Sequence, residues 1–360
     1  MSFDGQCTDR MRPIAHLRGG DSDVENVSSP MRRDELPQHP TATFVLPQWQ
    51  AMYVSVNKAA CTSLKWLVAE VQREDPDRFY NSLSSEQTRA MTIHRRALWR
   101  HTPMATGLRD EELEVISPDD GWFVFGVVRH PTARLFSAWQ SKLLLREPWW
   151  VARFGDAEWF PRIPRSGSDI VEDFVRFARA IAREPEQVIR NRHFAPQRRL
   201  LAARRMRYSR IYRTSELPQL VDDFDRHLRA RGWEGERLAL RRVNETPLPA
   251  IPAVFVPEVL DASRTLYEAD FEAFGYGDGV PAGLHPFGGY SDAAVAEIGR
   301  LIERAERIGD LSRRAAQLRR DLKASAAAPS PGHTRRIAWR TRRRVLQGLR
   351  LAKRRQDAAE

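Results

Sequence analysis

The sequence predicts an α/β fold of three layers, in which helices flank a central, mostly parallel sheet. Two segments carry this prediction, because each is an apolar run that ends at a cation and continues with helical spacing, at 51–67 and at 122–139. A third strand is expected at 210–213, and helices are expected to begin near Thr62 and Thr132. Strands that alternate with helices in this way are typical of parallel sheets, whose strands end at a shared edge.

The first segment predicts an anion-binding turn between a strand at 51–56 and a helix. At such a P-loop-like turn, backbone N–H groups and the positive end of the helix dipole point at one place, and a lysine and hydroxyls add to them. The residues concerned are Lys58, Ala59, Ala60, Cys61, Thr62 and Ser63. The nucleoside-triphosphate pattern GxxxxGK[ST] is absent, which weakens the alternative of a P-loop-type kinase. Taken alone, the segment also fits a buried strand followed by an ordinary surface loop.

The second segment predicts the same arrangement of strand, turn and helix. Arg129 follows the predicted strand, at the edge where open α/β sheets bind ligands, and Pro131 suits the first turn of a helix. Ser137 lies about two turns further along that helix. A guanidinium and a hydroxyl in these positions suit a second phosphate. The two segments together indicate a nucleotide that is phosphorylated at two separate places.

These motifs resemble those of the carbohydrate sulfotransferases of the chondroitin and dermatan type. Residues 58–63 resemble the family's 5′-phosphosulfate loop, and residues 128–138 resemble its 3′-phosphate segment, VRxPxxRLxSAY. Residues 191–197, 208–217 and 270–276 resemble later motifs in the family's order, so the resemblance covers roughly residues 43 to 278. The chain departs from the family at Asn57, where proline is usual, and at Trp139, where tyrosine is common. All matching residues belong to the donor site, which leaves the acceptor open.

The resemblance implies an enzyme, a sulfotransferase that moves the sulfuryl group of 3′-phosphoadenosine 5′-phosphosulfate to a hydroxyl group by in-line transfer. It implies that residues 58–63 bind the 5′-phosphosulfate and that Arg129 and Ser137 bind the 3′-phosphate. Lys58 is expected to neutralise the leaving phosphate as well. The expected acceptor is a carbohydrate, a glycosylated metabolite or another small hydroxyl compound. The Arg- and Ala-rich composition is similar to that of a bacterial member.

The transfer also requires a base for the acceptor proton, and we predict His94 for this role. It lies between the two phosphate segments, where some relatives place a histidine, and the pKa of histidine suits the task. The alternatives are a structural role for His94 and a base at His193, His101, Glu74 or Glu70. No metal is expected, because the nine histidines and two cysteines form no ligand motif.

The sequence predicts four parts. A disordered leader at 1–42, without the apolar region of a secretory signal, precedes the sulfotransferase domain at 43–280. An amphipathic helical extension follows at 281–323, with Gly309 as a candidate break, and packs on the domain or pairs between chains as a homo-oligomer. A linker and a basic tail occupy 324–360. Residues 146–168 match no regular period and suit an irregular loop or an acceptor-binding lid.

The net charge of +11 is concentrated in the tail, where ten Arg or Lys and no acid occur between Arg335 and Arg355. This tail supports a rival interpretation, a protein that binds nucleic acid or an anionic membrane through its basic end. No run of about 18 apolar residues occurs, so no segment is expected to span a membrane. The expected location is cytoplasmic, with peripheral contact to a membrane through the tail as a further option.

Overall fold

The computed structural model describes residues 31–37, 43–84, 88–241, 243, 246–277 and 279–327. It confirms an α/β fold in which helices flank a mixed, mostly parallel sheet. The chain divides into two compact units, one that ends at Ala305 and one that begins at Glu306. The sheet and the residues predicted to bind the donor all belong to the first unit.

Among the described residues, four strands form the sheet in the order β1-β2-β3-β4. They are β1 Thr43–Leu46, β2 Ala51–Val54, β3 Phe123–Val128 and β4 Arg210–Arg213. β1 pairs antiparallel with β2, whereas β2, β3 and β4 are parallel to one another. The three predicted strands are confirmed within two residues at either end. The parallel strands end at one edge of the sheet, so the segments that follow β2, β3 and β4 meet there.

Eleven helices lie within the described ranges. They are α1 Cys61–Val71, α2 Pro76–Tyr80, α3 Asp110–Glu114, α4 Pro131–Trp139, α5 Pro148–Phe154, α6 Gly167–Arg183, α7 Glu186–Ile189, α8 Gln197–Leu200, α9 Leu217–Arg229, α10 Pro257–Phe274 and α11 Asp292–Ala327. The helices predicted to start near Thr62 and Thr132 start one residue earlier, at Cys61 and at Pro131. A short 3₁₀ segment, Arg89–His94, also contributes to the site.

Two apolar clusters hold these elements in place. The first surrounds the sheet, where Phe125 lies 5.2 Å from Tyr53 and 5.2 Å from Phe224 of α9, measured between ring centroids. The second joins α4, α6 and α10, with the rings of Phe136 and Phe174 4.8 Å apart. Each buried aromatic side chain removes a large apolar area from water, so such contacts contribute strongly to the stability of a core. Together the clusters fix the ends of β2 and β3 relative to α1 and α4.

Three segments depart from the sequence-based expectations. Residues 31–37 fall within the predicted leader, yet Met31 and Leu36 are buried in the first cluster. The stretch 146–168 contains the helix α5, which Pro148 begins, so it is not wholly irregular. α11 continues through Gly309 without a break and reaches Ala327, inside the predicted linker. The predicted basic tail beyond residue 327 lies outside the described residues, as do 1–30 of the leader.

In the described ranges, no helix is both long and apolar enough to cross a membrane.

Candidate functional site

The loop between β2 and α1 has a tightly curled backbone. Lys58 and Ala60 both lie in the left-handed region, with φ angles of 68° and 56°. Residues with a Cβ pay about 1–2 kcal/mol for this conformation, so it persists only where surrounding structure enforces it. The N–H of Ala59 donates to the carbonyl of Val56 at 3.3 Å, which closes the turn. Loops that alternate in this way form concave sets of N–H groups that bind anions.

The helix α1 begins at this loop without a cap. Its N-cap residue is Ala60, whose methyl side chain cannot accept a hydrogen bond. The first helical hydrogen bond runs from the N–H of Leu64 to the carbonyl of Ala60 at 3.0 Å. The N–H groups of Cys61, Thr62 and Ser63 therefore have no acceptor within the helix. They point out of the helix end together with the positive end of its dipole. This is the geometry that attracts a phosphate or a sulfate.

Lys58 adds a positive charge to the same place. Its side chain is half-buried, and its ammonium has no hydrogen-bonding or ionic partner among the residues that the structure describes. Burial, followed by repulsion from Lys142, lowers the pKa of Lys58 to about 8. A desolvated ammonium without a counter-ion gains from any anion that binds beside it. The surroundings of Lys58 therefore suit an anion at this loop.

The two hydroxyls of the loop have different partners. Thr62 Oγ1 lies 3.0 Å from Nε2 of His94, whereas Ser63 Oγ accepts a hydrogen bond from the N–H of Val243 at 3.4 Å. Both side chains are buried, and the free thiol of Cys61 next to them is buried as well. Thr62 therefore connects the loop to the predicted base. Ser63 keeps its hydroxyl proton available for donation.

His94 is held between Thr62 and a buried lysine. Its Nδ1 lies 3.0 Å from Nζ of Lys65, a residue of α1 that is only 4% exposed. Burial lowers the pKa of Lys65 to about 8, and burial together with the charge of Lys65 lowers the pKa of His94 well below its usual value. When Lys65 is protonated it must donate to Nδ1, so Nε2 carries the proton and donates to Thr62. The proton of the Thr62 hydroxyl is then free to face a ligand.

Arg129 stands at the end of β3, and its backbone is fixed by a glutamine. Its N–H donates to Oε1 of Gln197 at 2.9 Å, and its carbonyl accepts from Nε2 of the same side chain at 2.7 Å. The N–H of Gln197 in turn donates to the buried carboxylate of Asp270 at 2.7 Å. Burial lowers the pKa of the Arg129 guanidinium. Ser137, the second residue predicted for the 3′-phosphate, is 3% exposed on α4.

Arg134 has a role that the sequence did not reveal. Its guanidinium is 1% exposed and donates to three backbone carbonyls, those of Asn57 at 2.9 Å, Ala195 at 2.9 Å and Arg192 at 3.1 Å. These bonds connect α4 to the loop after β2 and to the segment before α8. Arg134 therefore positions the backbone just before Lys58.

Two further residues of the site, Lys142 and Glu147, were missed in the sequence. They form an ion pair just after α4, and the Lys142 ammonium is among the charges that lower the pKa of Lys58, His94 and His193. Glu147 acts on Lys58 in the opposite direction. The available signal was the position of Lys142, five residues after Ser137 in the same helical stretch. Cations thus predominate around the loop, as an anion site requires.

Glu74, one of the alternative bases, is engaged in a structural role. Its buried carboxylate accepts from the backbone N–H groups of Arg100, His101 and Thr102 at 2.8 to 3.0 Å, and from the Thr102 hydroxyl at 2.9 Å. A carboxylate with this many donors has little capacity left to accept a proton from a substrate. Glu74 fastens the end of α1 to the chain near residue 101.

The remaining alternatives differ in their surroundings. Glu70 and His101 are exposed, and Glu70 pairs with Arg241 at 3.5 Å. His193 is half-buried, with Nδ1 2.9 Å from Oδ1 of Asn191. Burial, followed by repulsion from Lys142, lowers the pKa of His193 well below its usual value. Of these three, His193 is the one that shares the cationic surroundings of Lys58.

No group of three or more metal-ligating side chains occurs in the part of the chain that the structure describes. The cations, hydroxyls and backbone N–H groups around the loop are donors to an anion.

Comparison with known proteins identifies one family. The family model for the sulfotransferase family matches residues 41–277, which is well over half of the chain and includes the loop after β2, α4 and the segment 191–197. No curated protein and no solved structure gives a significant match.

Proposed function

Because the chain belongs to the sulfotransferase family, we propose that it transfers the sulfuryl group of 3′-phosphoadenosine 5′-phosphosulfate to an acceptor hydroxyl. One observation carries the choice of donor. Two cationic sites lie at the ends of neighbouring parallel strands, Lys58 with the uncapped α1 after β2 and Arg129 after β3. Two separate anion sites suit a nucleotide with a phosphosulfate at one position and a phosphate at another.

Two groups of residues bind the two ends of the donor nucleotide. Lys58 and the N–H groups of residues 61–63 bind the 5′-phosphosulfate, with the hydroxyls of Thr62 and Ser63 beside them. Arg129 and Ser137 bind the 3′-phosphate. The hydrogen bonds of Gln197 to Arg129 and of Arg134 to Asn57 hold both sites at a fixed separation.

The transfer needs charge stabilisation and positioning more than covalent chemistry by the protein. A bond forms between sulfur and the acceptor oxygen, the bond between sulfur and the 5′-phosphate oxygen breaks, and the acceptor proton passes to a base. Negative charge then grows on the leaving 5′-phosphate. The ammonium of Lys58 and the free N–H groups of α1 are already in place to stabilise it, which is the usual source of the largest rate effect.

We keep His94 as the proposed base. Its low pKa in the free protein has burial as its first cause, followed by the charges of Lys65 and Lys142. The negative charges of a bound donor oppose these cations, so donor binding raises the pKa of His94. His94 must release one of its two contacts, to Lys65 or to Thr62, before it can accept the acceptor proton.

A carbohydrate or a glycosylated metabolite is the proposed acceptor. This choice is supported by the resemblance of the motifs at 58–63 and 128–138 to carbohydrate sulfotransferases of the chondroitin and dermatan type. It is tested by transfer of labelled sulfate from the donor into a cell extract, followed by mass analysis of the labelled compounds.

The proposed activity is tested with Lys58→Met. We expect this variant to lower sulfuryl transfer by roughly 100-fold or more while its melting temperature is preserved, the scale known for lost donors to a transition state. Arg73→Met is the matched control, since it removes one exposed positive charge just beyond α1. Normal turnover in Lys58→Met, or no binding of adenosine 3′,5′-bisphosphate to the unaltered protein, would contradict the proposal.

A further inference from the structure

The second compact unit exposes a row of leucines. Within the described residues of this unit, Leu311, Leu318 and Leu322 of α11 are each 52% exposed. They are the largest apolar side chains in a stretch that is otherwise rich in Arg. An exposed apolar surface that is rimmed by polar residues is the kind of surface that marks an interaction site.

The spacing of this row is that of a coiled-coil seam. Apolar residues recur at alternating steps of three and four along α11. They are Ile308, Leu311, Ala315, Leu318 and Leu322. This 3-4 repeat places all five residues on one stripe, at the a and d positions of a heptad. Such a stripe is narrower than the apolar face of a helix that packs on a globular core. The stripe therefore suits another helix of similar length.

The charges beside the stripe select the direction of that helix. If two copies lay parallel, Arg314 of each would face Arg319 of the other, and two pairs of like charges would result. If they lay antiparallel with Ala315 of one copy opposite Leu318 of the other, Arg314 would face Asp321 of the other copy on both sides. Neither Arg314 nor Arg319 has an ion-pair partner among the described residues, so both are available for such contacts.

We propose that this face of α11 binds a second copy of the chain as an antiparallel helix pair. In this arrangement Leu311 packs on Leu322 of the second copy, and Ala315 packs on Leu318 of the second copy. Each helix covers the three exposed leucines of the other, and the small Ala315 leaves room for the larger partner.

The tail of the same chain is the competing occupant, and its charge disfavours it. Residues 306–327 contain six Arg or Lys and three acids, whereas residues 328–360 contain ten Arg or Lys and two acids. Contact between the two segments would bring together two basic surfaces without the reciprocal Arg314 and Asp321 pairs. Like charges at such distances repel one another.

The first test measures the mass of the full chain by sedimentation over roughly a thousandfold range of concentration. We expect a dimer whose dissociation constant rises by roughly tenfold or more in the double variant Leu311→Gln, Leu318→Gln. The matched control is the double variant Arg313→Gln, Arg320→Gln. It also introduces two glutamines seven residues apart, but on the opposite face of α11. Gln preserves the helix propensity, which circular dichroism checks. A chain that stays monomeric, or a dimer that both double variants affect equally, would overturn the proposal.

The second test determines direction. In the antiparallel pair, Arg314→Asp places like charges opposite each other and weakens the dimer, and adding Asp321→Arg restores it. In a parallel pair, Arg314→Asp would instead relieve the repulsion from Arg319 and strengthen the dimer, which would refute the antiparallel arrangement. A third full-length variant, Leu346→Gln, Leu349→Gln, should leave the dimer intact. Loss of the dimer in that variant would identify the tail as the occupant and overturn the proposal.

Discussion

Nζ of Lys65 lies 3.0 Å from Nδ1 of His94, although the two residues are 29 positions apart in the chain. The lysine is buried and part of α1, and the histidine ends the 3₁₀ segment Arg89–His94. Because the other ring nitrogen contacts Thr62, a single chain of hydrogen bonds runs from the interior of α1 to its first turn. The protonation state of His94 is therefore coupled to Lys65 and to whatever binds at Thr62.

We predict that Lys65→Met raises the pKa of His94. Burial and then the Lys65 charge lower this pKa, and the substitution removes the charge while it keeps most of the buried volume. NMR titration of labelled histidine rings measures the change. Arg78→Met, which removes an exposed charge from α2, serves as the control and should leave the titration of His94 unaltered. An unchanged pKa of His94 in the Lys65 variant would show that Lys65 does not donate to the ring.

Glu74→Gln should destabilise the protein without removing activity from the folded fraction. The glutamine amide keeps only one of the two oxygen acceptors of the carboxylate. Its NH₂ group then faces the backbone N–H groups of residues 100–102, so donors face donors. We expect a loss of about 1–3 kcal/mol in the free energy of unfolding, the cost of unsatisfied buried donors, measured by denaturant unfolding. Glu70→Gln, on the exposed side of α1, should change neither quantity. Normal stability with lost turnover would assign the base to Glu74.

The sequence predicted those strands, helices and loop residues that a short contiguous stretch of sequence is enough to identify. Apolar runs identified β2 and β3, and the resemblance of residues 208–217 to a family motif identified β4. The loop chemistry placed Lys58, Thr62 and Ser63 at the start of α1. β1 was not predicted, because its four residues are too few to give a pattern that distinguishes a strand. The helix α5 was hidden because its seven residues are too few to establish a helical period.

Long-range partners could not be predicted from the sequence. Glu74 was an open alternative as base because its donors lie 26 to 28 residues further on, and only the fold brings them together. The role of Arg134 was missed because its acceptors come from segments 58 to 77 residues away. Such contacts depend on how the loops pack at the sheet edge, which no periodicity encodes.

Arg129 and Ser137 should discriminate between nucleotides. If they bind the 3′-phosphate, replacement of either by Ala weakens adenosine 3′,5′-bisphosphate much more than adenosine 5′-phosphosulfate, which lacks that phosphate. Calorimetric titration with both nucleotides measures the difference, which we expect to be roughly tenfold or more for Arg129→Ala. Ser141→Ala, one turn beyond Ser137, is the control for the hydroxyl. Equal weakening of both nucleotides would indicate that Arg129 and Ser137 only support the fold.

Arg134→Lys should loosen the loop before Lys58. Lysine keeps the charge but lacks the planar guanidinium that donates to three carbonyls at once. At least one of the acceptors at residues 57, 192 and 195 therefore loses its donor. We expect a loss of about 2–4 kcal/mol in unfolding free energy, measured by chemical denaturation, together with weaker nucleotide binding. Arg226→Lys on the exposed face of α9 should be silent. A fully stable Arg134→Lys variant would show that the guanidinium does not hold these segments together.

Nucleotide binding should take up protons at Lys58. With a pKa of about 8, this lysine is about half protonated at pH 8 in the free protein. A bound anion favours the charged form and raises the pKa, so protons are absorbed on binding between roughly pH 7 and 10, and affinity falls as pH rises through 8. Above about pH 7.5 the phosphates of adenosine 3′,5′-bisphosphate are already ionised and do not contribute. Calorimetry in two buffers of different ionisation enthalpy measures the proton uptake. Lys58→Met should reduce this uptake, whereas Lys65→Met should retain the protons that Lys58 takes up. The same proton uptake and pH dependence in Lys58→Met as in the unaltered protein would place the bound anion away from this loop.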